Sequence, residues 1–135
     1  MQGIMKAMEH NMKGEYMEGL VCTYRELTGS RFPFDEEKFR EKAKVGMDHG
    51  HNPFPGHGAA VSSSPHRKDR LKNINLPTLV IHGTEDAILP FDHGQALADG
   101  IPNAQIMTLE GVGHEIPDQM IDEITSRMIE HFNSI

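Results

Sequence analysis

The chain has 135 residues, long enough for one modest domain with a single hydrophobic core and too short for two full domains. Its formal charge of -7, with 13 Lys and Arg against 20 Asp and Glu, argues against a phosphate-binding surface and so against a nucleic-acid partner. One cysteine, Cys22, excludes an internal disulfide and fits a reducing compartment; with charges interrupting the first twenty residues there is neither a signal-peptide apolar stretch nor a membrane span, so a soluble cytoplasmic protein is expected.

In the first 28 residues, Ile4, Met5, Met8, Met12, Leu20, Val21 and Tyr24 recur at helical spacing, with Gly14 or Gly19 as the candidate break. The methionines suit either plain helix packing or an adaptable lid, and Cys22 reads as packing. A second helix starts at Asp35, which can cap it. Glu36 and Glu37 follow in the first turn, Phe39, Ala43 and Met47 share a face, and Phe34 and Phe39 are spaced as a hydrophobic staple. "GHNPFPGHGAAVSSSP" is a loop with one helical turn at most, and "HRKDR" is a solvated basic loop.

The pattern changes near residue 74, dividing the chain into a helical, cap-like segment (1-73) and an alternating segment (74-135). "TLVIHG" (78 to 83) predicts a parallel strand buried on both faces, "PFDHGQALADG" (90 to 100) a short helix, and "AQIMTLEG" (104 to 111) a second strand. From Pro117 to Phe132 a terminal helix is predicted with Met120, Ile121, Ile124, Met128 and Phe132 on its apolar face. The fold class is therefore α/β, a β-α-β-α unit with a parallel strand pair.

Open α/β sheets place ligand chemistry at the C-terminal tips of their strands. Asp86 lies just past the first tip, and His114, directly after the Gly111 to Gly113 turn, just past the second. A carboxylate bonded to one imidazole nitrogen fixes the tautomer and leaves the other nitrogen as a base. Each residue also has a structural reading: Asp86 could merely cap its turn, with Asp92 as a rival acid better placed as a helix cap, and His114 could be structural. His82, inside the strand, reads as a buried hydrogen-bonded histidine. The trio His49, His51 and His57 matches no closed zinc pattern, and no metal or cofactor is expected.

"LPTLVIHGTEDAILP" followed by "GVGHEIP" and a terminal helix resembles the C-terminal part of an α/β-hydrolase, and "FPFDEEKFREKAKVGMDHGHNPFPGHGAAV" resembles the cap region of the esterase-like branch that includes aclacinomycin methylesterase-type proteins. The resemblance spans nearly the whole chain. It implies a partial α/β-hydrolase fold, Asp86 as the orienting acid, His114 as the general base, and a small-molecule ester-like substrate. The family's nucleophile is a serine in G-x-S-x-G, and none of Ser30, Ser62, Ser63, Ser64, Ser126 and Ser134 has that context. By the family's chain order the nucleophile, early strands and oxyanion hole would precede Met1, so the chain alone is expected to be inactive. Two alternatives stand beside this: a noncatalytic binding or assembly module derived from the fold, and a dehalogenase- or epoxide-hydrolase-like relative with an aspartate nucleophile. A lone strand pair has open edges and little apolar cover, so a homo-oligomer is expected, by default a dimer, with exchange of the Met-rich N-terminal helix as one route.

Overall fold

The computed structural model describes residues 2–49 and 57–134. Helix α1 (Gln2–Met12) and helix α2 (Tyr16–Leu27) form a hairpin. Gly14 makes the turn at φ 78, where the Glu15 amide returns to the His10 carbonyl at 2.9 Å. Gly19 is not a break. It lies inside α2 where an added Cβ would come within 3.1 Å of the Ala7 carbonyl oxygen, so it is the point of close helix approach. This contact also corrects the expected apolar face. Ala7 and Val21 are buried in the hairpin, whereas Met5, Met8 and Met12 are exposed, Met12 at 88%.

Helix α3 (Glu36–Asp48) begins as its sequence predicts. Asp35 accepts the Lys38 amide at 3.1 Å, and the Phe34 and Phe39 rings stand 5.5 Å apart as the staple. Phe39 also meets Tyr24 of α2 at 4.6 Å, which docks α3 on the hairpin. Arg40 adds a surface clamp, donating to both carboxylate oxygens of Glu18 and to Glu36. Residues 50–56 of the glycine- and proline-rich stretch lie outside the described residues, and the rest holds a short helix, α4 (His57–Ser63), longer than the single turn expected. The basic cluster runs into a 3₁₀ turn (Lys68–Asn73) whose Leu71 sits over Gly100.

Strands β1 (Leu79–Gly83) and β2 (Gln105–Leu109) pair in parallel, Leu79 opposite Gln105 and Gly83 opposite Leu109, joined by helix α5 (Phe91–Gly100). This is the predicted α/β unit, and helix α6 (Ile121–Asn133) completes it after a 3₁₀ turn at Asp118–Met120. Pro117 precedes that turn rather than opening the helix itself. Leu109, Val112, Met120 and Ile124 form the core, with Phe32, Ile81 and Met107 against it. The strand β1 is less enclosed than expected. His82 meets α5 and Ile81 meets the core, so both faces are covered, yet Leu79 and Ile81 are only half-buried because a two-stranded sheet offers little shelter. The α6 face is also rotated from the predicted one: Met120, Ile124 and His131 are buried, while Ile121, Met128 and Phe132 are exposed, Phe132 at 64%. A stripe of seven-residue spacing from Ile124 reaches His131, not Phe132. No helix among the described residues is long and apolar enough to cross a membrane.

Candidate active site

Both strand tips carry their ladder onward into the loops. The Thr84 amide donates to the Leu109 carbonyl at 3.1 Å and the Glu85 amide to Val112 at 2.9 Å, so the loop bearing Asp86 and the loop bearing His114 leave the sheet side by side. Thr84 Oγ1 accepts the Gly111 amide at 2.9 Å. Gly83 is required at this crossing, since a Cβ there would lie 2.2 Å from the Val112 carbonyl oxygen.

A third segment locks the His114 loop from outside. The Gly113 amide donates to Thr28 at 3.0 Å and the Glu115 amide to Leu27 at 3.1 Å, so the residues on either side of His114 use carbonyls that the end of α2 leaves unpaired. Gly29, at φ 81, turns the chain so that the Ser30 and Arg31 amides both reach the Gly111 carbonyl, at 2.9 and 2.8 Å. Ser30 also binds Glu85, its hydroxyl donating at 2.6 Å and its amide at 2.7 Å. Nothing in the sequence marks Ser30 and Glu85 as partners, because the contact depends on how three loops stack.

Within this frame His114 donates its Nδ1–H to Asp86 Oδ2 at 2.8 Å. The two residues singled out in the sequence are thus brought together at the C-terminal edge of the strand pair. Asp86 Oδ1 accepts the Ile88 and Leu89 amides, each at 2.8 Å. One oxygen of Asp86 therefore caps the turn while the other meets the imidazole. Its side chain is 6% exposed against 37% for His114. Burial opposes the Asp86 charge and is the largest influence on it, but the Leu89 amide, His114 and the Ile88 amide together outweigh it and hold the carboxyl below its ordinary value. A carboxylate so held fixes His114 as the Nδ1–H tautomer, which leaves Nε2 with a free lone pair on the exposed side.

Asp92 lies in the first turn of α5 and makes no capping bond. His82 is hydrogen-bonded as expected, its Nε2 to the Leu89 carbonyl at 2.8 Å. His49 bonds the Val45 carbonyl at the end of α3, at 2.7 Å, while His51 lies outside the described residues. Ser63 and Ser64 donate their hydroxyls to the Ala60 carbonyl in α4.

Beside the His114 loop a cavity of about 400 Å³ opens between α2, α3 and residues 115–119, lined by Tyr24, Phe32, Phe34, Phe39, Met47 and Ile116 among others. His114 itself is not on its wall, but its neighbour Glu115 is. Burial, and then the Glu115 charge, raise the Tyr24 hydroxyl above its ordinary value, so it stays a neutral donor on that wall. At the rim Asp118 takes Lys38 at 2.5 Å and Lys42 at 3.2 Å, tying α3 to the start of the terminal helix.

The family model described as TAP-like protein, an α/β-hydrolase family, matches residues 42–132, which is more than half of the chain. The chain belongs to the α/β-hydrolase family. Rhodomycin D methylesterase DauP of Streptomyces sp. (strain C5) is 29% identical over 121 residues, covering 87% of this chain and 40% of the relative. Rhodomycin D methylesterase DnrP of Streptomyces peucetius is 27% identical over 120 residues with the same coverage, 87% and 40%. The chain thus spans about 40% of the length of these curated relatives. Bromoperoxidase from Bacillus anthracis is similar in fold, with a TM-score of 0.68 at 22% identity over 90% of this chain and 45% of the other. The chain is therefore a partial α/β-hydrolase fold with esterase-like relatives.

Proposed function

We propose that this chain carries the acid and the base of a carboxylic ester hydrolase of the Ser-His-Asp type, and that the nucleophile and oxyanion hole come from residues outside these 135. The observation that carries the reading is the 2.8 Å contact between His114 Nδ1 and an Asp86 anchored by two backbone amides. In the reaction His114 Nε2 takes the proton as a serine oxygen attacks the ester carbonyl carbon. It then returns that proton to the departing alkoxide as the carbonyl re-forms on the acyl-enzyme. Water repeats the sequence and releases the acid. Asp86 stays ionised throughout and stabilises the imidazolium. The similarity to two methylesterases supports an ester as substrate, and the aromatic cavity beside residue 115 supports one with an apolar group.

The 135-residue chain alone hydrolyses a p-nitrophenyl ester no faster than its His114→Ala variant, because without an oxyanion hole and an activated nucleophile the largest stabilisation of acyl transfer is missing. Turnover abolished by Ser62→Ala, Ser63→Ala or Ser64→Ala overturns the reading by exposing a nucleophile within the chain. If the reading frame preceding the Met1 codon supplies a G-x-S-x-G, the extended enzyme loses about 10⁴-fold in kcat when Asp86 becomes Asn. An extended enzyme indifferent to Asp86→Asn overturns the assignment of the acid.

The same proposal includes self-association of the isolated chain. Each strand has one unpaired edge among the described residues, and Met5, Met8 and Met12 give α1 an exposed apolar stripe that a second copy can cover.

A further inference from the structure

We infer that His82 is a positioning residue for the Asp86–His114 pair, acting by clamping the turn that aims Asp86. The inference deepens the acid–base reading and has chemical consequences only if that reading holds. His82 Nε2 lies 2.8 Å from the Leu89 carbonyl oxygen. A carbonyl only accepts, so Nε2 carries the proton. Leu89 in turn donates its amide to Asp86 Oδ1 at 2.8 Å. One peptide residue therefore joins the two side chains: its carbonyl is held by His82 and its amide holds the acid.

The imidazole has little freedom to do anything else. Its side chain is 10% exposed, and the Phe91 ring stands edge-on at 5.9 Å. Gly94 of α5 packs directly on it, since an added Cβ there would lie 2.5 Å from His82 Nδ1. The contact fixes the ring plane, so that Nε2 faces the turn. From this position Nε2 is also 3.5 Å from Asp86 Oδ2, the oxygen that receives His114. That is too long for a good hydrogen bond but close enough for the N–H dipole to favour the carboxylate. Strand β1 thus positions the acid twice, through the backbone direction at Gly83 and through a side chain four residues upstream of Asp86.

The test is nuclear magnetic resonance of the folded chain with ¹⁵N-labelled histidine, read at mildly alkaline pH, together with amide exchange. In the wild type His82 shows the Nε2–H tautomer, His114 the Nδ1–H tautomer, and the Leu89 amide is protected. His82→Phe keeps a ring against Phe91 and Gly94 but removes the donor. The Leu89 amide then exchanges about tenfold faster relative to the amides of β1, and His114 moves to a mixture of tautomers. His82→Gln, whose side-chain N–H reaches about as far, restores both. His82→Phe with unchanged Leu89 exchange and an unchanged His114 tautomer overturns the inference. If His82→Phe does not fold, the wild-type His82 decides: a proton on Nε2 supports the clamp, and a proton on Nδ1 overturns it. Failure of the acid–base reading has a different signature, a wild-type His114 protonated on Nε2 while the Leu89 amide still responds to His82→Phe.

Discussion

Replacing Asp86 by Asn and by Ala separates the two jobs of this carboxylate. Oδ1 accepts the Ile88 and Leu89 amides while Oδ2 accepts from His114. An Asn can present its carbonyl to only one side. Turned towards His114 it would bring its NH₂ against two backbone donors, and turned the other way it opposes one, so it keeps the turn and repels the His114 Nδ1–H. His114 answers by moving its proton to Nε2 and accepting from the Asn at Nδ1. The turn survives with neutral instead of charge-assisted bonds, at a cost of about 1 kcal/mol, which in a chain of this size lowers Tm by about 3–5 °C. Ala forfeits both amide bonds and the imidazole contact. At about 1.5 kcal/mol for each of these three charge-assisted bonds in a loop where water can replace the acceptor, the total is about 4–5 kcal/mol and Tm falls by about 15–20 °C. Thermal melts and histidine ¹⁵N shifts measure the two effects independently. An Asp86→Ala variant no less stable than Asp86→Asn, or an Asn variant in which His114 keeps its Nδ1 proton, refutes the division of labour between the oxygens.

Gly113→Ala sets a Cβ 2.1 Å from the Leu27 carbonyl oxygen and 2.8 Å from the Gly29 amide, all backbone, so a chemical melt shows a loss of about 2–3 kcal/mol. Gly46→Ala, with nothing within 4 Å in the exposed helix α3, instead gains about 0.5–1 kcal/mol, and a loss there would show that the helix is not formed as described. Asp86 and Asp118 both sit below the ordinary carboxyl value of 3.8 when folded, so protons bind the unfolded chain more readily; stability is complete above that value and is lost as pH falls through the folded values. Melts across that range should show a steeper acid loss for wild type than for Asp86→Asn, and equal slopes would contradict the cause assigned to Asp86. Light scattering at micromolar concentration should report a species heavier than 15.1 kDa, and a monodisperse monomer with a cooperative melt would show that the chain closes its own core.

Several elements were legible because their signals are local. A β-branched run ending in glycine fixes β1, a capping Asp35 with a Phe34 and Phe39 staple fixes the start of α3, and the family's chain order points to Asp86 and His114. What escaped was information held in rotation and in stacking. The spacing of Met5, Met8 and Met12 gives a helical stripe but not whether it turns inward, and the small Ala7 and Gly19 win the interior because they let two backbones approach. On α6 the stripe ending in Phe132 and the one ending in His131 differ by a single position, and the heavier hydrophobe is the one left outside. Glu85 and Ser30 lie 55 positions apart with no shared motif, so only the folded chain pairs them.

These missed contacts are also what gives the legible pair its geometry. A strand tip by itself sets the height of Asp86 and His114 on the sheet edge but not the distance between their loops, and a hydrogen bond of 2.8 Å tolerates little error in that distance. Two ties from residues 27 and 28 fix the His114 loop from one side, and Gly83, pressed against the Val112 carbonyl, fixes the acid loop from the other. Ser30 then joins Glu85 to the same strap that holds Gly111, so neither loop can shift without disturbing the third. The helical segment before residue 31 is therefore more than a cover for the sheet. Its C-terminal carbonyls, which a helix end leaves without partners, are part of the scaffold on which the acid and the histidine meet.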